Sequence, residues 1–231
     1  MNANRHNQLL EAVRNYRIPA AAEQLIKQHP PLLIAGASAV GKNTITDKVV
    51  TLSNHRRVIT HTTRQPWGNE VDGVTYWFVE EGAISRMIDN QALIEAQLVH
   101  GETIYATSVE AYEKVVNSGF QPLLIVDIHG LIKYLRMVPA ARAFFLLPPT
   151  FEEWMHRFER RGPLSFTQKR RRLHSAKLEM ELVLKTPQVQ LLVNDDITQT
   201  AKSIIGGPLV PATQAQHKEL AQRLIDHARV Y

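Results

Sequence analysis

The sequence has 231 residues, 44% hydrophobic and 21% charged, which suits one large globular domain with short extensions and argues against disorder. It contains no cysteine, so disulfides, thiolate zinc sites and cysteine nucleophiles are excluded. The net charge of +5 favours anionic ligands in general and is weak support for nucleic acid in particular. In chain order, residues 6–17 form a predicted amphipathic helix with Leu9, Leu10, Val13 and Tyr16 along one side. Pro19 opens a second helix that runs to about Gln28 and is closed by His29-Pro30-Pro31. Leu32 to Ala35 is an apolar strand, followed by a glycine-bearing turn over 36–41 and a helix from Lys42. Residues 57–61 read as another strand. The stretch 62–108 reads as an inserted lobe of short strands with one helix near 82–90. Buried strands are predicted at 122–127, 142–147 and 190–193, separated by helices at 109–118, 129–137, 150–160 and 167–185. This alternation predicts an α/β fold, a parallel sheet flanked by helices on both faces. Gly206-Gly207-Pro208 marks a linker and 213–229 a terminal helix. The expected organisation is a helical extension over 1–31, a core domain over 32–205, and a linker with a C-terminal helix over 206–231. No apolar run is long enough to span a bilayer, and the first residues lack the apolar core of a signal peptide, so the expected location is cytoplasmic.

Between the first buried strand and the helix after it lies Gly36-Ala37-Ser38-Ala39-Val40-Gly41-Lys42-Asn43-Thr44, which satisfies G-x-x-x-x-G-K. Glycines let the backbone curl so that successive N–H groups point at phosphate oxygens, and the helix N-terminus adds its positive end. Lys42 supplies a mobile charge for the β- and γ-phosphates. Ile45, Val49 and Leu52 make the following helix amphipathic, the context a phosphate loop requires. Asn43 stands where Ser or Thr is usual and offers no hydroxyl to Mg²⁺. Thr44 is next in line to meet a phosphate or the metal's water shell.

A second stretch narrows the function: Thr60-His61-Thr62-Thr63-Arg64-Gln65-Pro66-Trp67-Gly68-Asn69-Glu70-Val71-Asp72-Gly73-Val74-Thr75-Tyr76-Trp77-Phe78. It resembles the T-T-R-x-P-R-x-G-E-x-x-G-x-x-Y-x-F segment of guanylate kinases, and the phosphate loop is similar to that family's G-P-S-G-x-G-K-x-T. The resemblance continues through Leu93-Ile94-Glu95, Tyr105-Ala106-Thr107, Val126-Asp127-Ile128-His129-Gly130, Arg157 to Gly162, Arg172-Leu173 and Val193-Asn194-Asp195-Asp196. It implies a P-loop NTPase-type sheet, a GMP-binding lobe at about 62–108, a lid at about 162–168, and phosphorylation of GMP by ATP with Mg²⁺. The family roles carried over place Arg64, Tyr76 and Tyr105 on the GMP phosphate, and Thr60, Glu95 and Thr107 on the guanine. A carboxylate accepts from guanine N1–H and its amino group, an arrangement adenine does not present. Arg161 and Arg172 would bridge the phosphates of the two nucleotides, with Arg157 on the same helix face as Arg161. Asn194 would lie near the adenine. Asp127 would order Mg²⁺-bound water or contact the guanine amino group; the residues leave both open.

The departures fall on the monophosphate side. Trp67 replaces the family's second arginine, Asn69 displaces a glycine, and Ala106 replaces another. They keep open a same-fold kinase for a different phosphorylated acceptor, such as a ribose phosphate. A non-catalytic guanylate-kinase-like interaction module is a second alternative, opposed by Lys42, Arg161 and Arg172. The run Lys169-Arg170-Arg171-Arg172 reads as a solvated helix turn rather than a nucleic-acid patch, and the ten scattered histidines offer no H-x-x-x-H pair. The expected partners are ATP and GMP, with no membrane, and the chain is expected as a monomer or homodimer.

Overall fold

The computed structural model describes residues 3–68, 70–99, 103–160 and 165–230. In chain order they form α1 (Ala3–Asn15), α2 (Ala20–Gln28), β1 (Leu32–Gly36), α3 (Lys42–Leu52), β2 (His55–Arg57), β3 (His61–Thr62), β4 (Trp77–Phe78), α4 (Glu81–Asp89), β5 (Leu93–Val99) and β6 (Thr103–Ser108). There follow α5 (Val109–Asn117), β7 (Gln121–Ile125), α6 (Ile128–Met137), β8 (Arg142–Leu147), α7 (Phe151–Glu159), α8 (Phe166–Leu184), β9 (Gln190–Val193), α9 (Ile197–Gly206) and α10 (Pro211–Val230). The chain gathers into two compact units. One holds Arg56–Leu124 with the chain up to Pro31, and the other holds Leu32–His55 with the chain from Ile125 onward.

In the second unit β1 pairs in parallel with β8, and β8 in parallel with β9. Every residue of β1 is buried, as are Ala143 to Leu147 of β8, which is what strands covered on both faces demand. The covering helices start where the sequence offers caps. Asp127 accepts from Gly130 N–H, Thr150 from Glu153 N–H, and Ser165 with Gln168 makes a reciprocal capping box on α8. Helix α9 was not foreseen. Its signal was present: Asp196 caps it through Gln199 N–H, and Thr200, Ala201 and Ile204 line its buried face. Helix α10 packs on α8 and β9 through Ala221, Leu224, Ile225 and Ala228.

In the first unit a four-stranded sheet has the order β4-β3-β6-β5. β3 runs parallel to β4 and antiparallel to β6, and β5 is antiparallel to β6. The strand expected over 57–61 is divided. β2 lies beside β7, Val58 N–H donates to Leu123 O at 2.9 Å, and the chain then passes into the four-stranded sheet as β3. Helix α1 buries Leu9 and Val13 in a cluster with Ile84, Leu93, Ala96, Ile104 and Ala106. Of the segment expected as a lid, 162–164 lie outside the described residues, and 165–168 are the cap and first turn of α8.

Candidate functional site: a phosphate loop and an arginine-tyrosine lobe

The second unit carries the phosphate loop. β1 delivers Gly36 into the turn with φ +150°, where a Cβ would meet Leu146 O at 2.7 Å and Val40 at 2.9 Å. Gly41 caps α3 in the left-handed region at φ +91°, and a Cβ there would collide with Asn194 Nδ2 at 2.7 Å. Both glycines of the motif are thus required by close approach and by backbone conformation. Ala37, Ala39 and Val40 are buried and Ser38 is half-buried, so the loop presents backbone rather than side chains. Lys42 folds over the loop, its Nζ donating to Gly36 O at 2.5 Å and Ala37 O at 3.0 Å. Asn43 and Thr44 form the first turn of α3.

The loop is pinned from outside. Buried Trp154 of α7 donates its indole N–H to Ser38 O at 2.9 Å. Asn194, buried after β9, donates Nδ2–H to Val40 O at 2.7 Å. Arg157 donates to Asn194 O at 3.0 Å and to Glu153 Oε1 at 2.7 Å. The sequence-predicted Asn194 and Arg157 therefore meet at the base of the loop, in a chain from Glu153 through Arg157 and Asn194 to Val40. Arg161 lies outside the described residues. Arg172 sits half-buried on α8, and burial lowers the pKa of its guanidinium. Asp127 ends the strand-to-helix turn with Oδ1 accepting from Gly130 N–H at 2.7 Å. Glu179, two turns beyond Arg172 on α8, accepts from the Ser175 hydroxyl at 3.2 Å. Burial, with Asp127 adding to it against the pull of Lys42 and Ser175, pushes the Glu179 carboxyl up to about 7.

The first unit gathers Thr60, Arg64, Tyr76, Glu95, Tyr105 and Thr107 around one sheet. A bulge between Leu93 and Glu95 shifts the register so that Glu95, rather than Ile94, faces Thr107 across β5 and β6. Thr107 donates its hydroxyl to Glu95 Oε1 at 3.2 Å, and both side chains are buried. Thr60, also buried, accepts at its carbonyl from Trp77 N–H at 2.9 Å. Arg64 donates Nε–H to the Tyr105 hydroxyl at 2.9 Å, and Tyr76 packs edge-on against Tyr105 with ring centroids 5.7 Å apart. Arg64 is also held in both guanidinium branches by Glu70, at 2.6 and 2.7 Å. Its Cζ lies 4.6 Å from the Trp67 ring centroid, so the neutral residue in the arginine position stacks on the remaining cation. Burial opposes the Arg64 charge, but the Glu70 hydrogen bond and Tyr105 outweigh it and keep the guanidinium firmly protonated. Burial likewise raises Glu70, yet Arg64, the Trp67 N–H and Arg57 bring its carboxyl below the usual range.

Sequence reasoning missed Glu70, Trp154 and Glu179. Glu70 lies within the quoted motif and was legible there. Trp154 and Glu179 reach their places through tertiary packing and carry no local signal.

A glycine-bounded loop closing a buried parallel strand, with a lysine opening the next helix, defines a P-loop nucleotide-binding α/β protein. Residues 28–205 match the family model described as Guanylate kinase, and the chain belongs to the guanylate kinase family. It is 35% identical over 177 residues to the guanylate kinase of Leifsonia xyli subsp. xyli, covering 75% of this chain and 68% of that protein. It is 34% identical over 179 residues to the guanylate kinase of Caldanaerobacter subterraneus subsp. tengcongensis, covering 77% and 85%. The crystal structure of the guanylate kinase from Anaplasma phagocytophilum superposes with a TM-score of 0.60 at 25% identity, covering 83% of this chain and 88% of that one.

Proposed function

We propose that this chain transfers the γ-phosphoryl group of ATP to GMP, yielding ADP and GDP. The observation that carries the reading is one sheet that bears both the buried Glu95–Thr107 pair and the cluster of Arg64, Tyr76 and Tyr105. Glu95 with Thr107 and Thr60 supplies buried acceptors and hydroxyls for guanine. Arg64 with Tyr76 and Tyr105 supplies the donors for its phosphate. The ATP phosphates would lie in the loop 36–44 against backbone N–H groups and Lys42, with Asn194 setting the loop's shape close to the adenine. Phosphoryl transfer asks the protein chiefly for positioning and for cations around the migrating group. Lys42, Arg161 and Arg172 take that part, and Arg157 acts through Asn194.

Among the described residues no group of three or more acidic or histidine side chains is arranged to hold a metal. Asp127, within electrostatic reach of Glu179 as Lys42 is, fits Mg²⁺ carried on nucleotide phosphates and its own water. Asp127 and Thr44 would face that water shell, and the ion when bound would neutralise phosphate charge. Among the described residues no helix is long and apolar enough to cross a membrane. We place the enzyme in the cytoplasm with its nucleotide substrates, as a monomer or homodimer.

A second reading, a kinase for another phosphorylated acceptor, is favoured by one observation: Trp67 stacks on Arg64 where the family has a second arginine, and Glu70 holds both branches of Arg64. A coupled assay of ADP release against GMP, AMP, CMP, UMP and ribose phosphates decides between them. GMP is expected to be the preferred acceptor. A sugar phosphate turned over faster than GMP would establish the second reading.

A further inference from the structure

The phosphate loop carries a backbone strain that its family's motif does not. Ala39 stands where the G-P-S-G-x-G-K segment has its second glycine, yet it holds φ at +67°, in the left-handed region. A residue with a Cβ is strained there, and such strain persists only where the surroundings over-determine it. Here a hydrogen bond does so. The Ser38 carbonyl, which belongs to the peptide entering Ala39, accepts from the Trp154 indole N–H at 2.9 Å. Trp154 is fully buried, its ring packed against Phe151 and Phe158 with centroids 6.1 and 5.7 Å away. Ser38 O is thereby turned toward the protein interior. Among the described residues no peptide is cis, so Ala39 N–H points the opposite way, to the side a P-loop offers to phosphate. Turning this peptide over would swing the Ala39 φ to roughly −110°, inside the relaxed β region. It would also carry Ser38 O to the side where the N–H now points. The indole bond opposes that turn. Asn194 holds Val40 O, which belongs to a different peptide.

We propose that Trp154 is a positioning residue of the ATP site, its indole N–H holding the Ser38–Ala39 peptide so that Ala39 N–H faces the nucleotide's phosphates. This rests on the loop being the ATP-phosphate site. With the donor removed, Ser38 O loses its partner, and turning the peptide over releases the strain at Ala39. A carbonyl oxygen then meets the phosphate oxygens in place of an N–H. The competing role, a ring that only fills space beside Phe151 and Phe158, predicts lower stability with phosphate binding unchanged and no dependence on the residue at position 39.

The test measures binding of ATP, tripolyphosphate and GMP by calorimetry on the parent, Trp154→Phe, Ala39→Gly and the double variant. Trp154→Phe is expected to weaken ATP and tripolyphosphate by about tenfold, with GMP unchanged. Glycine holds positive φ without strain, so the same substitution made in the Ala39→Gly background should cost clearly less. Unchanged ATP binding, equal weakening of GMP, or the same loss in both backgrounds would overturn the proposal. Should Trp154→Phe fail to fold, 3-benzothienylalanine at position 154 keeps the bicyclic ring and replaces its N–H with sulfur. It is read by the same loss and the same dependence on residue 39: both present support the proposal, and either absent contradicts it. A parent that binds neither ATP nor tripolyphosphate defeats the phosphate-loop reading itself. A parent that binds both, with Trp154→Phe unaffected, defeats only the role of Trp154.

Discussion

Lys42 is the loop's own side-chain cation, and its position over Gly36 O and Ala37 O keeps the ammonium at the loop rather than in solvent. Lys42→Ala should keep the parental melting temperature and lose at least about a hundredfold in kcat, as removal of a transition-state charge stabiliser does. A folded Lys42→Ala enzyme with parental turnover would contradict the phosphate-loop mechanism. In the lobe, Glu95→Gln replaces one acceptor with a donor against guanine, and should reduce kcat/KM for GMP by about a hundredfold while leaving ATP affinity intact. Unchanged GMP kinetics would remove Glu95 from base reading. Glu179 gives a pH signature of stability. Its carboxyl is raised from an ordinary 4.5 to about 7, so the folded state binds more protons than the unfolded one between those values. Stability from this group is therefore greatest below about pH 4.5, falls as pH rises to about 7, and is flat above. Glu179→Gln removes the effect: melting should match the parent near pH 4.5 and exceed it by roughly 2–6 °C near pH 8. A difference in melting temperature that does not vary with pH would assign Glu179 a different role.

At the scale of elements, the two terminal segments do the same job in different units. Tyr16, just after α1, donates its hydroxyl to Leu93 O at 2.8 Å and accepts from Leu93 N–H at 3.2 Å, on the outer strand β5. Gln214 of α10 accepts from Leu191 N–H at 2.9 Å and donates to Leu191 O at 2.8 Å, on the outer strand β9. Each side chain satisfies both backbone groups of one edge residue, which would otherwise offer a template for another strand. Gln214→Ala should cost about 1–2 kcal/mol in urea unfolding, and removal of residues 213–231 should lower the melting temperature with ATP affinity unchanged. Unaltered stability together with a shift in mass on sizing chromatography would make α10 an intersubunit contact instead. These edge contacts were not legible in the sequence. The apolar stripes at Leu9 and Val13, and at Leu224 and Ile225, announced helices needing a partner, but periodicity does not name the partner. The apolar strand from Leu32 and the body of α8 were legible because their signals are local, whereas the Ser165–Gln168 capping box fell in the segment expected as a lid. The division of 57–61 into β2 and β3 was not legible, because Arg57-Val58-Ile59-Thr60-His61 carries no local signal of which sheet each end joins. In the site, the glycines at 36 and 41 were readable from spacing, and the Arg64 motif from its resemblance to the family's segment. The Glu153–Arg157–Asn194 chain required the fold to bring distant residues together.

For the molecule as a whole, the features converge on one reaction. The second unit has a glycine-bounded loop with Lys42 folded over it, and the first has a sheet that carries Glu95, Thr107, Arg64, Tyr76 and Tyr105, the residues to which the proposed function gives GMP. Family membership over residues 28–205 spans both. The most direct measurement follows the phosphoryl group itself: γ-labelled ATP, GMP and Mg²⁺ are mixed with the parent and with Lys42→Ala, and labelled products are separated. The parent should place the label on GDP in proportion to the ADP formed, and Lys42→Ala should form little of either. Label released as inorganic phosphate without GDP, or GDP formed equally by Lys42→Ala, would contradict transfer to GMP from this loop.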